Sequence, residues 1–348
     1  MPIDLSELSR LLTAGAIVAA VALPVGLVAH VLRPKASLLL PRWTPFPVPW
    51  SGFEVTIAFL VVMFVLPAVV FALLHESGFY QFVYGDSLSP PDAKDSPPEA
   101  RREANTLRGL WTNLLSLPLV LVVLYLIRHT RYPNWRPNLS GSVAGKVTLA
   151  VLAWCVLTPI VLLFNAVVNV VSQQLDVPPE THPLAKLGAR PLRDQLLLAL
   201  EACVGAPLRE EIIIRGVLLW WCVGRMKLPG VGVLPITGTR PWFVMGAAGL
   251  FAATGGKWQP VVFACALVVG LGVLWRFTRT GARRARAVYA TAAFFALMHH
   301  AVWPNPVPLF VLGLGLGWLA VRTNGLLVPV LVHSLFNAVS VVFVLRSA

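Results

Sequence analysis

GAPLREEIIIRGVLLW, residues 205–220, sets Arg209, Glu210, Glu211 and Arg215 inside a run that is otherwise apolar enough to lie in a membrane. An ionisable side chain at bilayer depth costs about 2.5 kcal/mol or more even on lenient insertion scales, which marks such a position as a functional site by default. Helix geometry sorts the four charges. Glu211 and Arg215 are four residues apart with the acid first, the favourable order for a side-chain pair. Glu210 points about 100° away from Glu211. The reading is that Glu211 and Arg215 neutralise each other and leave Glu210 on another face, where a desolvated carboxylate suits general-base work.

The surrounding chain supports a membrane setting. Of its 348 residues 57% are hydrophobic and only 12% charged, and the mean hydropathy is +0.75; a soluble domain carries about 25% charged residues. The fold class expected is all-α, a polytopic transmembrane helical bundle. Apolar runs that can cross a bilayer fall at 11–32, 54–74, 109–127, 147–172, 195–224, 258–275, 287–303, 306–321 and 325–345, with a shorter one at 242–256 that is either a short crossing or a re-entrant piece. This makes nine or ten spans. The net charge of +13 comes from Lys and Arg in short loops between apolar runs, which argues for topology and lipid headgroups and against nucleic acid as a partner. With ten crossings the more basic loops, RFTRTGARRAR foremost, share one side and place the N-terminus outside. MPIDLSELSR lacks the basic start of a secretory leader, so the first apolar run is read as a retained helix.

The expected organisation is N-terminal transmembrane helices over 1–86, a polar linker over 87–108, further helices and a loop over 109–194, and a core over 195–348 with a two-span insertion at about 228–284. Cys155, Cys203, Cys222 and Cys265 show no CxxC spacing and read as small core residues. Trp43, Trp50, Trp111, Trp135, Trp242 and Trp303 lie near segment ends and read as interfacial belts. LGLGLG at 312–317 sits mid-span with no strand before it, so it reads as a small-residue packing face.

Two further apolar segments carry polar groups. FFALMHHAVW (294–303) sets Phe295 and His299 at i and i+4, with His300 alongside; HSLFNA (333–338) sets His333 and Asn337 on one face. A Glu, two His and an Asn on helix interiors are the parts for amide hydrolysis, with Glu and one His activating water and the other His and Asn donating to the oxyanion. The same residues allow a second reading, in which Glu210, His299 and His333 hold a divalent metal such as zinc with water in the open position.

EEIIIR after Ala206-Pro207, FALMH and HSLFN resemble the EExxxR, FxxxH and HxxxN motifs of the CPBP (Abi) intramembrane protease family, which includes the CAAX-prenyl endopeptidases. The resemblance covers roughly 195–345. It implies that Glu210 activates water together with His299, that Glu211 and Arg215 hold the local structure, and that His333 and Asn337 line the oxyanion site. It also implies an integral, multi-pass protein of the cell membrane acting on a membrane-associated or lipidated protein or peptide, with either a metal or a metal-free glutamate. This sequence departs from the pattern in the length between Arg215 and His299. Two other readings stay open: a transporter or ion relay, which would show repeat symmetry and helix breaks, and a non-catalytic immunity or scaffold relative, which would not need Glu210.

Overall fold

The computed structural model describes residues 50–85, 88, 97–131, 142–174, 177, 180, 183–224, 227–228, 232–233, 239–277 and 283–346. The expected helix at 11–32, Trp43 and Trp135 lie outside them. The described helices are α1 (Gly52–Glu76), α2 (Phe79–Tyr84), α3 (Pro98–Arg131), α4 (Val143–Gln174), α5 (residues 192–223), α6 (Arg240–Thr254), α7 (Trp258–Phe277), α8 (Arg283–Met298), α9 (Pro306–Thr323) and α10 (Leu327–Arg346). A two-residue antiparallel ribbon, Lys227–Leu228 with Gly232–Val233, follows α5.

Among the described residues six helices are long and apolar enough to cross a membrane: Gly52–Glu76, Pro98–Leu126, Val143–Gln174, Trp258–Arg276, Pro306–Thr323 and Leu327–Arg346. The other expected spans within the described residues are also helical, but α5 carries too many charges. With 15 residues, α6 is too short, since about 1.5 Å per residue gives roughly 22 Å against a hydrocarbon core of about 30 Å. The run expected to span 287–303 is helical only to Met298. His299 is therefore not on a helix interior: it begins a turn, and Pro304, Pro306 and Pro308 withhold the N–H groups that would continue the helix. At the other expected boundary, α3 starts inside the supposed linker, because Pro98 at its first position and Glu99 in its first turn favour a helix start.

The described chain divides into two compact units. The first comprises Trp50–Trp154, Thr181–Ile213 and Leu326–Ala348. Here α1 opens on a capping box between Ser51 and Glu54 and packs on α3. Tyr80, Tyr84, Leu107, Leu187, Leu197, Leu198 and Val341 form its core. The start of α5 is tied down by Asp194, fully buried, which accepts from Arg190 Nε (3.2 Å), Arg193 Nε (3.0 Å) and the Tyr84 hydroxyl (3.0 Å). Burial pushes the Tyr84 phenol above its ordinary value.

The second unit comprises Cys155–Glu180 and Ile214–Gly325 among the described residues. Helix α8 is its centre, buried on every side from Arg286 to Leu297. From Ala287 its sequence, AVYATAAFFALM, is almost wholly apolar and rich in alanine, as an enclosed helix must be. The glycines of α9 supply the close approach: a Cβ on Gly313 would lie 3.0 Å from Ala292 Cα, and one on Gly317 would lie 3.0 Å from Val288 Cγ1. Gly315, on another face, meets Leu157 of α4. The small-residue reading of LGLGLG is thus what the packing shows. Gly313→Leu is expected to cost about 1–3 kcal/mol through overpacking against backbone, read as a lowered Tm in detergent. Gly249→Ala, with open space around it, should leave Tm unchanged or raise it.

Trp303 is 4% exposed and packs edge-on to Phe263 at 6.4 Å, so it is a core residue of this unit and not an interfacial one. Cys155 and Cys265 lie on outer helix faces, against the expectation that all four cysteines sit in the core; only Cys222 is buried, and all four are thiols.

Candidate active site

In the first unit the decisive stretch is not a uniform α-helix. Residues Glu201–Gly205 and Glu211–Leu219 are π-helical, separated by one α-turn, Ala206–Glu210. Such π insertions concentrate at functional sites because they shift the phase of side chains and release backbone groups. Both consequences are visible here. In the first π segment, the Ala206 N–H bonds to the Glu201 carbonyl, five residues back. The next bond in that register would run from residue 207 to the Ala202 carbonyl, but Pro207 has no N–H. The orphaned Ala202 oxygen accepts instead from Asn337 Nδ2 on α10, at 2.7 Å. Pro207 and Asn337 are therefore complementary parts of one arrangement, and the second N–H of the Asn337 amide is left for another acceptor.

One turn before Asn337, the imidazole of His333 lies 3% exposed beside the adjacent carboxylates. Its Nδ1 bonds to Glu211 Oε1 at 3.0 Å, and its Nε2 lies 3.9 Å from Glu210 Oε2. Since a carboxylate only accepts, Nδ1 is the donor. The fully buried Glu211 thus orients the ring, as carboxylates orient functional imidazoles elsewhere. The 3.9 Å separation exceeds a direct hydrogen bond but keeps Nε2 turned toward Glu210.

Arg209 is paired inside the unit. It is 5% exposed, with NH2 on Glu201 Oε1 at 2.6 Å and NH1 on the Asn113 carbonyl of α3 at 3.1 Å. Gly205 makes room for this: a Cβ there would sit 2.0 Å from Glu201 Oε2. Loss of Arg209 alone would strand the Glu201 charge in the interior.

In the second unit the remaining motif residues share one aromatic ring. Arg215, fully buried, lies with its guanidinium 4.6 Å over the Phe295 ring and donates to the Gly313 carbonyl at 3.4 Å. His299 meets the same ring edge-on at 5.1 Å, and its Nδ1 lies 2.8 Å from the Phe295 carbonyl. A carbonyl only accepts, so Nδ1 carries the proton and Nε2 the lone pair, the form a base or ligand needs. His300 has its Nδ1 on the Leu297 carbonyl at 3.0 Å and its Nε2 3.4 Å from Thr254 Oγ1.

The segment that carries these motifs has a counterpart among known protein families. Residues 192–339 match the family model of the Type II CAAX prenyl endopeptidase Rce1-like proteins. This segment is thus similar to the CPBP proteases, the family its three motifs resemble. No curated protein and no solved structure matches the chain.

Within the matched segment, the structure groups Glu210, Glu211, His333 and Asn337 in the first unit, and Arg215, Phe295 and His299 in the second. Glu201 was overlooked in the sequence although the signal was present: it is an acid inside the same apolar run, eight residues before Arg209. Among the described residues no three His, Cys, Asp or Glu side chains are arranged to hold a metal ion.

Proposed function

We propose that this protein is a CPBP-type intramembrane endopeptidase that hydrolyses a peptide bond of a membrane-associated or lipidated substrate with a glutamate-activated water. It is an integral, multi-pass protein of the cell membrane, with six described helices that can cross the bilayer. The observation that carries the proposal is the grouping of half-buried Glu210 and Asn337 around buried Glu211 and His333 on α5 and α10, within the segment that matches the CAAX prenyl endopeptidase model.

In this reading Glu210, with His299, takes a proton from water, and the oxygen attacks the scissile carbonyl carbon. His333 and Asn337 line the oxyanion site, where the second N–H of the Asn337 amide donates to the charge that develops. Collapse of that intermediate breaks the C–N bond, and Glu210 returns its proton to the departing amine. Arg215 and Phe295 set the end of α8, and Glu211 sets the tautomer of His333. No serine or cysteine nucleophile enters.

The test is cleavage of a panel of lipidated and unlipidated peptides by the purified protein in liposomes. At least one is cut, at a defined bond; no cleavage of any would count against the proposal. The same assay addresses the orienting carboxylate. Glu211→Gln can hold the His333 ring with the opposite tautomer, so kcat/KM should fall by roughly 10²-fold or more with little change in Tm. Unchanged turnover would remove Glu211 from this role.

A further inference from the structure

His299 begins the turn that follows α8, where the backbone has already tightened: His299 N bonds to Ala296 O at 3.0 Å and His300 N to Leu297 O at 3.2 Å. Helix ends of this kind fray unless something ties them. The ties come from outside the helix, and all lie in the second unit. Lys257, in the α6–α7 turn, donates from Nζ to the Ala301 carbonyl at 2.9 Å and pairs with Glu180 Oε2 at 2.6 Å. Glu180 in turn accepts the Trp303 N–H on its side chain at 3.4 Å, while its own N–H donates to the Trp303 carbonyl at 2.9 Å. Thr254 Oγ1 lies beside His300 Nε2, and Gly255 lies under the His300 ring so closely that a Cβ would come within 2.7 Å of Cδ2. Gly256 makes the turn possible with a φ of +65°, a conformation that glycine adopts without cost.

We propose that the α6–α7 turn and Glu180 form a positioning clamp for His299. The clamp grips residues 300, 301 and 303 and leaves the 299 side chain to its bond with Phe295. A solvent-facing Lys–Glu pair contributes little by itself: these side chains are 35% and 37% exposed. Its value lies in convergence, since one ion pair closes on both an orphan carbonyl and an amide of the same short turn. The clamp also gives the extra length between the first and second motifs a purpose, for its turn supplies Thr254, Gly255 and Lys257. This inference rests on the role proposed for His299 above; Lys257 and Glu180 touch no reacting atom and act only through placement.

The experiment uses the full-length protein in liposomes with Lys257→Met, Lys257→Arg, Glu180→Ala and the Lys257→Met/Glu180→Ala double variant. Amide hydrogen exchange across 299–305 is followed beside kcat, KM and Tm. Misplacing a reacting group by about 1 Å costs up to roughly 10²-fold, so each disabling variant should lower kcat by about tenfold. KM should stay within about twofold and Tm nearly constant, with exchange at Trp303 faster. Lys257→Arg should restore most of the rate, and the double variant should be no worse than either single one. Unchanged exchange in Lys257→Met overturns the clamp whatever the activity. Faster exchange with undiminished kcat overturns its role in placing His299. A wild-type protein inert on every substrate counts against the peptidase reading, and exchange alone then decides whether the clamp exists.

Discussion

Glu210→Gln is expected to lose peptide cleavage by about 10³-fold or more while the protein folds and reconstitutes normally. The change keeps the size of the side chain and one carbonyl oxygen but removes the group that can take a proton from water. Glu210 lies where the α-turn Ala206–Glu210 meets the long π segment, with His333 Nε2 3.9 Å from its Oε2. An amide there can keep a polar contact with the imidazole, so Tm should move little. Single-turnover cleavage of the best peptide of the panel, with Tm measured on the same preparation, checks both halves. Wild-type turnover by this variant would remove the general base from the mechanism.

His299→Ala should lower kcat/KM by roughly 10²–10³-fold. Its ring lies past the last residue of α8 and touches Phe295 only at an edge. Truncation therefore removes little of the packing that holds the second unit together, and the loss should fall on rate and not on stability. The neighbouring residue is the control. Because His300 faces Thr254 and Gly255, His300→Ala should act only through the placement of the turn and cost about tenfold. Equal losses at both positions would show that the pair serves structure alone.

How far this could be read from residues depends on how local each contact is. The helical class and the shared face of His333 and Asn337 follow from apolar run length and a 3.6-residue period, both properties of one segment. The close packing of Gly313 and Gly317 follows in the same way. The Glu211–His333 bond joins positions 122 apart, and no local pattern can announce it. The partner of Asn337 was hidden differently: it depends on a π register in which Pro207 leaves the Ala202 carbonyl unbonded, whereas an α-helical count assigns that carbonyl elsewhere. The overreach at 287–303 has a composition cause. His299 to Trp303 extend an apolar run, but the prolines beyond them end the helix at Met298. Arg209 pairs with Glu201, eight residues earlier in the same apolar run, a partner that a four-residue helical spacing does not point to.

The central claim is that Glu210 and His299 serve the same hydrolytic water, and a double-mutant cycle on cleavage tests it most directly. The rates of Glu210→Gln, His299→Ala and the double variant are compared with wild type under single-turnover conditions in liposomes. Groups that act as one unit are strongly non-additive, so the double variant should fall no further than the worse single one. Losses that multiply, or a single variant that keeps wild-type turnover, would contradict the account.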